Sequence, residues 1–182
     1  SYLINTVGLC AIACFLPLLF GEFQGLNMFP IGLAILCLNT PICTLLSCDP
    51  DLEQAIRMLP GQAGRFCRKY CLFIFAVNSI VASIYLCSWQ IVNGGFNFVH
   101  VGTLLIFALQ SAILSVILEW KHPIRDWKTE SDLWHHPRKY LVPLIMLLVA
   151  AFAGTWTLAL WICAAVLLME CCLLYTSDAA DD

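Results

Sequence analysis

Cysteine and histidine are the residue types in this sequence that could do chemistry most directly. The chain has 11 Cys and 4 His, and Cys10/Cys14 and Cys67/Cys71 are each four residues apart, which places both thiols of a pair on one helix face. Together with the adjacent histidines at 135–136, such pairs are the ingredients of a zinc site. Zinc sites, however, use closer Cys-x-x-Cys pairs or paired histidines. Most of these cysteines instead lie in apolar segments, where Cys acts as a small hydrophobic residue, so the sequence predicts no metal site.

Acid–base or nucleophilic catalysis is also not indicated. His122, Asp132 and His135 could act as acid–base groups, but no nucleophile accompanies them and neither Gly-x-Ser-x-Gly nor His-Glu-x-x-His occurs. The phosphate-binding pattern Gly-x-x-x-x-Gly-Lys-Ser/Thr is also missing, because Gly61-Gln62-Ala63-Gly64 is too short and lacks its Lys. The sequence predicts that this chain is not an enzyme and holds no cofactor.

The composition indicates the environment in which these residues must be positioned. Of the 182 residues, 61% are hydrophobic and 12% charged, against about 45–50% and about 25% in soluble domains. With 9 Lys+Arg against 12 Asp+Glu, there is no basic surplus for binding nucleic acid. The sequence predicts a chain whose main contact is the lipid bilayer.

Apolar runs of the length needed to cross a bilayer, about 20 residues, recur along the chain. They predict an all-α transmembrane bundle of about six spans, forming a single domain over 1–171. The last apolar run, from Leu141 to Leu174, is too long for one crossing, and Gly154-Thr155 divides it into two halves. A helical hairpin is the preferred interpretation of these halves, and one long tilted helix is the alternative. The predicted spans are 3–20, 28–46, 70–89, 101–118, 141–153 and 156–171.

The positions of the basic residues predict the orientation. All nine lie in two segments, 48–69 and 119–140, and none lies in 21–27 or 90–100. Since Lys and Arg concentrate in cytoplasmic loops, the two basic loops and both termini are predicted to be cytoplasmic, in a multi-pass membrane protein. Aromatic residues favour the membrane interface, and the predicted anchors are Trp89, Trp120, Trp127, Trp134 and Tyr140. For the tryptophans of the second loop, a partner-binding surface is the alternative role.

The first basic loop contains a predicted amphipathic helix. Asp49 is suited to the N-cap and Pro50 to the first helical position, while Leu52, Ile56 and Leu59 recur at i, i+4 and i+7. Pro60-Gly61 then ends the helix. Such a helix could lie on the lipid headgroups or dock a cytoplasmic partner.

This loop resembles that of the permease subunits of type-two ABC exporters. The matching positions are Asp51-Leu52-Glu53, Met58-Leu59-Pro60 and Arg68-Lys69-Tyr70, together with the six-span order; the amphipathic segment expected before the first span is missing. The resemblance implies a homo- or heterodimeric permease whose loops 48–69 and 119–140 bind a separate cytoplasmic ATPase, with ATP on that partner. The docking residues it implies are Asp51, Leu52, Glu53, Ile56, Arg57 and Leu59. A polytopic membrane enzyme or an accessory membrane scaffold is the alternative function.

Two further expectations concern the spans and the C-terminal tail. The first four spans contain no ionisable carboxylate, and the last has only Glu170, near its predicted cytoplasmic end. Ion-coupled transporters usually carry such a group inside the membrane, so the sequence predicts that any transport is driven from elsewhere. Residues 172–182 resemble translated sequencing adapter, and without their three Asp the formal net charge changes from −3 to 0.

Overall fold

The computed structural model describes residues 7–8, 11, 15, 28–36, 42–58, 62–93, 97–124, 140–155 and 157–180. The regular elements among them are all helical, which confirms the predicted all-α class for this part of the chain. Most of the predicted span 3–20 lies outside the described residues. The elements are α1 (Met28–Leu36), a 3-10 turn (Ile42–Thr44), α2 (Leu45–Cys48), α3 (Pro50–Met58), α4 (Gln62–Asn93), α5 (Phe98–Lys121), α6 (Leu141–Thr155) and α7 (Thr157–Ala180).

Two of the described helices are long and apolar enough to cross a membrane: α4, over Gln62–Ile91, and α5. The 32 residues of α4 extend about 48 Å at about 1.5 Å per residue, well beyond the hydrocarbon core of about 30 Å. Its first turns carry exposed Arg65, Arg68 and Lys69. The basic segment that the sequence analysis placed ahead of span 70–89 is therefore part of the same helix.

Helix α5 is the centre of the bundle. It packs against α1, α4, α6 and α7, and 56% of its most apolar stretch is buried, against 28% for α4. Asn97 caps its start, since the Asn97 side chain accepts a hydrogen bond from the Val99 N–H at 2.9 Å. Buried side chains of α4 recur every three or four residues and form the seam that faces α5; they are Tyr70, Ile74, Asn78, Ala82 and Tyr85.

The described residues of the segment 28–48 contact the α4–α5 pair at two levels. Near its start, Phe29 packs on Trp89, with ring centroids 5.5 Å apart; near its end, the Leu45 N–H donates to the Tyr70 hydroxyl oxygen at 3.3 Å. The sequence analysis expected one helix over 28–46, whereas the structure has α1, a 3-10 turn and α2. Residues 37–41, between α1 and the 3-10 turn, lie outside the described residues. That this segment crosses a membrane stays a prediction.

The last apolar run is described as two helical elements. Helix α6 covers Leu141–Thr155 and α7 covers Thr157–Ala180; residue 156 between them lies outside the described residues, so the division at Gly154-Thr155 stays a prediction. Helix α6 packs against α1, and α7 packs against α4, α5 and α6. Helix α7 continues to Ala180 and so includes most of the segment 172–182. That α6 and α7 form a membrane-crossing hairpin stays a prediction.

Candidate functional site: the junction of the two polar loops

Helix α3 forms as the local sequence predicts. It begins at Pro50, and the Asp49 carboxylate accepts a hydrogen bond from the Leu52 N–H at 3.1 Å. This bond satisfies one of the backbone donors that every helix start leaves unpaired. The N-cap prediction is therefore confirmed.

The predicted apolar stripe of α3 faces the rest of the protein. Ile56 is 9% exposed and Leu52 is half-buried, while Asp51 is exposed. Helix α3 packs against α2 and α4, so the stripe joins it to the base of the long helix. Glu53 and Arg57 lie one turn apart on α3, and Leu59 lies outside the described residues.

Glu119 forms the most buried polar contact near this helix. The sequence analysis placed it at the start of the second loop, but it belongs to α5 and is 1% exposed. Its carboxylate oxygen Oε1 accepts a hydrogen bond from the Ser47 backbone N–H at 2.6 Å. A carboxylate taken out of water this completely is costly unless it is hydrogen-bonded, so the contact fixes α2 against α5.

Ser47 extends this contact to a second point. Its hydroxyl oxygen Oγ accepts a hydrogen bond from the Ile124 N–H at 2.9 Å, and both residues are buried. Ser47 lies two residues before Asp49, and Ile124 lies just beyond the end of α5. We call Ser47, Glu119 and Ile124 the loop junction, because together they join the two polar loops that the sequence analysis treated separately.

The loop junction was missed by sequence reasoning for an identifiable reason. Glu119 is followed by Trp120-Lys121, and that polar run is typical of a loop. A signal was nevertheless present: Ser111, Ser115 and Glu119 are spaced by four residues and share one face of α5, and all three are buried. The predicted span 101–118 contains no carboxylate, but α5 extends past its boundary at Leu118 to Lys121 and so includes the buried Glu119.

The predicted interface aromatics occupy different environments. Trp89 packs in an aromatic cluster with Phe29 and Tyr85, Trp120 is half-buried, and Tyr140 is 57% exposed. Trp127 and Trp134 lie outside the described residues. Their role as interface anchors stays a prediction.

The described side chains arrange no chemical centre at the loop junction. Within the described ranges, no three His, Cys, Asp or Glu side chains are grouped as a metal site would require. The junction consists of hydrogen bonds between a carboxylate, a hydroxyl and backbone amides. Such an arrangement can hold two segments together and transmit displacement between them.

Comparison with protein families, with curated proteins and with solved structures finds no match.

Proposed function

We propose that this chain is an integral membrane permease subunit of an ATP-driven exporter, inserted in a bacterial plasma membrane as a multi-pass protein. In this proposal it pairs with a second permease subunit and binds a separate cytoplasmic ATPase, which carries the ATP. The loops 48–69 and 119–140 form the ATPase-binding surface. The loop resemblance, the apolar outward surface of the bundle and the contact between Ser47 and Glu119 support it.

The outward surface of the bundle supports a membrane location. A helix at the core of a soluble protein is mostly buried, and large exposed apolar patches on soluble proteins are unusual. Here the long helices present large apolar side chains outward, at positions that a lipid environment would cover. Examples are Leu72, Ile80 and Ile84 on α4, Leu144 and Phe152 on α6, and Leu158, Trp161 and Leu168 on α7.

The single observation that carries the docking role is the link from α3 through Ser47 to Glu119. Helix α3 is capped, its apolar stripe packs inward and its exposed face includes Asp51 and Gln54. A partner that moved α3 would pull on α2, and the hydrogen bond to Glu119 would carry that movement to the central helix. A helix that merely lay on lipid headgroups would need no such connection.

Exchanging the charges of α3 tests this role. The double substitution Glu53→Arg with Arg57→Glu keeps the composition and net charge but reverses the charge pattern that a partner would meet. We expect co-purification with a co-expressed candidate ATPase subunit to fall about tenfold or more, equivalent to about 1.4 kcal/mol or more. The amount of chain in the membrane fraction should not change.

A matched control is Asn97→Asp, which places a charge at the exposed opposite end of α5, outside both loops, and keeps a side-chain oxygen that can cap the helix. It should affect co-purification less than the exchange on α3. Undiminished co-purification of the exchanged variant, with normal membrane insertion, would contradict docking through α3.

A further inference from the structure

Glu170 and Gln110 form a polar contact between α7 and α5, away from the loop junction. The Gln110 amide nitrogen Nε2 donates a hydrogen bond to the Glu170 carboxylate oxygen Oε2 at 2.8 Å. The two residues are 60 positions apart in the sequence. The sequence analysis placed Glu170 near the cytoplasmic end of the last span, but its contact with Gln110 puts it beside the middle of the central helix.

The depth of this contact is set by the length of α5. Gln110 is the thirteenth of the 24 residues of α5, so about 16–18 Å of helix lies on either side of it at about 1.5 Å per residue. If α5 crosses a bilayer with a hydrocarbon core of about 30 Å, the Glu170–Gln110 contact lies near the middle of that core. Ionisable side chains at that depth are costly and usually mark an ion path or a proton relay.

The amide of Gln110 offers one atom that this contact does not use. Gln110 is 6% exposed, and its oxygen Oε1 is buried without a hydrogen-bond partner among the described residues. A buried acceptor left unpaired is unfavourable, and an amide presents a donor on one side and an acceptor on the other. Gln110 can therefore pair with either protonation state of a carboxyl group.

We propose that Glu170 and Gln110 form a proton-binding site within the helix bundle. A proton from water adds to Glu170 Oε2, and the hydrogen bond from Gln110 Nε2 breaks. The Gln110 amide turns by half a revolution, and the new carboxylic O–H donates to Oε1, which removes the unpaired acceptor. Release of the proton reverses these steps, and no electrons are transferred.

The charged groups on the helices packed against α7 lie far from this site. Helix α6 has no titratable residue in its sequence. On α5, Glu119, His100 and Lys121 are nine to eleven residues from Gln110, about 13–16 Å along the helix. The charged residues of α4 are Arg65, Arg68 and Lys69. All three precede Tyr70, which packs with Val116 in the second half of α5.

The uncharged titratable groups on these helices are tyrosine and cysteine. Tyr70 and Tyr85 lie near opposite ends of the α4–α5 seam, where Tyr85 stacks on Phe29. Cys163 is two turns before Glu170 on α7 and is half-buried; the remaining cysteines of the packed helices are Cys67, Cys71, Cys87, Cys171 and Cys172. None of these carries charge when protonated, so the nearest described partner for the Glu170 charge is the Gln110 amide.

A proton fits this site better than a metal cation. Hard cations such as Ca²⁺ take about 6–8 oxygen ligands, whereas the described residues bring one carboxylate and one amide oxygen together here. The proposal rests on the membrane location given in the proposed function but not on ATPase binding, so loss of ATPase co-purification would leave it unaffected.

Infrared difference spectroscopy of the full chain in phosphatidylcholine liposomes tests the site directly. We expect a shift from mildly acidic to mildly alkaline buffer to remove a carboxylic acid C=O band corresponding to one group per chain. The band should be absent in Glu170→Gln and retained in Asp51→Asn, which removes an exposed carboxyl group of α3. It should also be retained in Glu119→Gln, which removes the buried carboxyl group of the loop junction.

Gln110→Leu provides an independent measurement if Glu170→Gln fails to fold. Without the amide, the same C=O band should move to the higher frequency of a carboxylic acid that lacks a hydrogen-bond partner. A band that survives Glu170→Gln, or that does not move in Gln110→Leu, would overturn the proposal. A band that responds to Na⁺ at constant pH, and not to pH, would also overturn it and indicate a sodium site.

Discussion

Replacing Glu119 with alanine is expected to lower the free energy of unfolding by about 2 kcal/mol and to loosen the loop junction. The substitution leaves the Ser47 N–H buried without its acceptor, and an unsatisfied buried donor costs about 1–3 kcal/mol. Because Ser47 also accepts from Ile124, we expect the amides of both segments to lose protection together. Hydrogen exchange over 45–58 and 122–124, with denaturant unfolding in mixed micelles, measures both effects.

Glu119→Gln is the matched control for this prediction. The glutamine amide keeps an oxygen that can accept the hydrogen bond from the Ser47 N–H. The free energy of unfolding and the protection of the amides from exchange should therefore stay near the wild-type values. Equal loss in both variants would mean that the negative charge, and not the hydrogen bond, stabilises the junction. Unchanged exchange in Glu119→Ala would contradict the junction itself.

Adding a methyl group at Gly32 is expected to have a comparable effect at the other end of the bundle. A Cβ on Gly32 would overlap the Tyr85 hydroxyl oxygen and lie 2.6 Å from Tyr85 Cζ. The Tyr85 ring is 1% exposed and stacks on Phe29, with ring centroids 5.5 Å apart, so it cannot move aside without unpacking its neighbours. Overpacking of this kind costs about 1–3 kcal/mol, and we expect Gly32→Ala to lower the free energy of unfolding by that amount.

Gly102→Ala is the control for this second prediction. Gly102 lies inside α5, and a Cβ there would meet nothing within 4 Å. Alanine stabilises a helix interior by about 0.5–1 kcal/mol relative to glycine, so Gly102→Ala should be neutral or stabilising. Partial recovery of stability when Tyr85→Phe is combined with Gly32→Ala would confirm the clash. If Gly32→Ala and Gly102→Ala behaved alike, the close packing of α1 on α4 would be contradicted.

The features that the sequence predicted correctly depend on neighbouring residues. Asp49 caps α3 because its side chain reaches a backbone N–H three residues away. The helical segments around 70–89 and 101–118 follow from their continuous apolar runs. Their ends were misplaced because polar residues such as Arg68 and Glu119 extend the same helices beyond the apolar run.

The features that the sequence did not predict depend on distant contacts. From the sequence alone, Glu119 is assigned to a loop. Only the structure shows that the Ser47 N–H, 72 positions away, donates the hydrogen bond that makes burial of Glu119 favourable. Glu170 is likewise assigned to the end of a span from the sequence alone. Only the structure shows that it contacts Gln110, in the middle of α5. Apolar periodicity indicates which face of a helix is buried, but not which residue of another helix lies opposite.

Labelling from outside intact cells tests the central claim, that the two polar loops face the cytoplasm in a membrane-inserted protein. Single cysteines at Asp51 on α3 and at Asn97 before α5, both exposed, would be introduced into a chain whose own cysteines are replaced by serine or alanine. The account predicts that a membrane-impermeant maleimide labels Cys at 97 in intact cells, and labels Cys at 51 only after the membrane is permeabilised. Labelling at 51 in intact cells would contradict the orientation, and with it the docking of a cytoplasmic ATPase on α3.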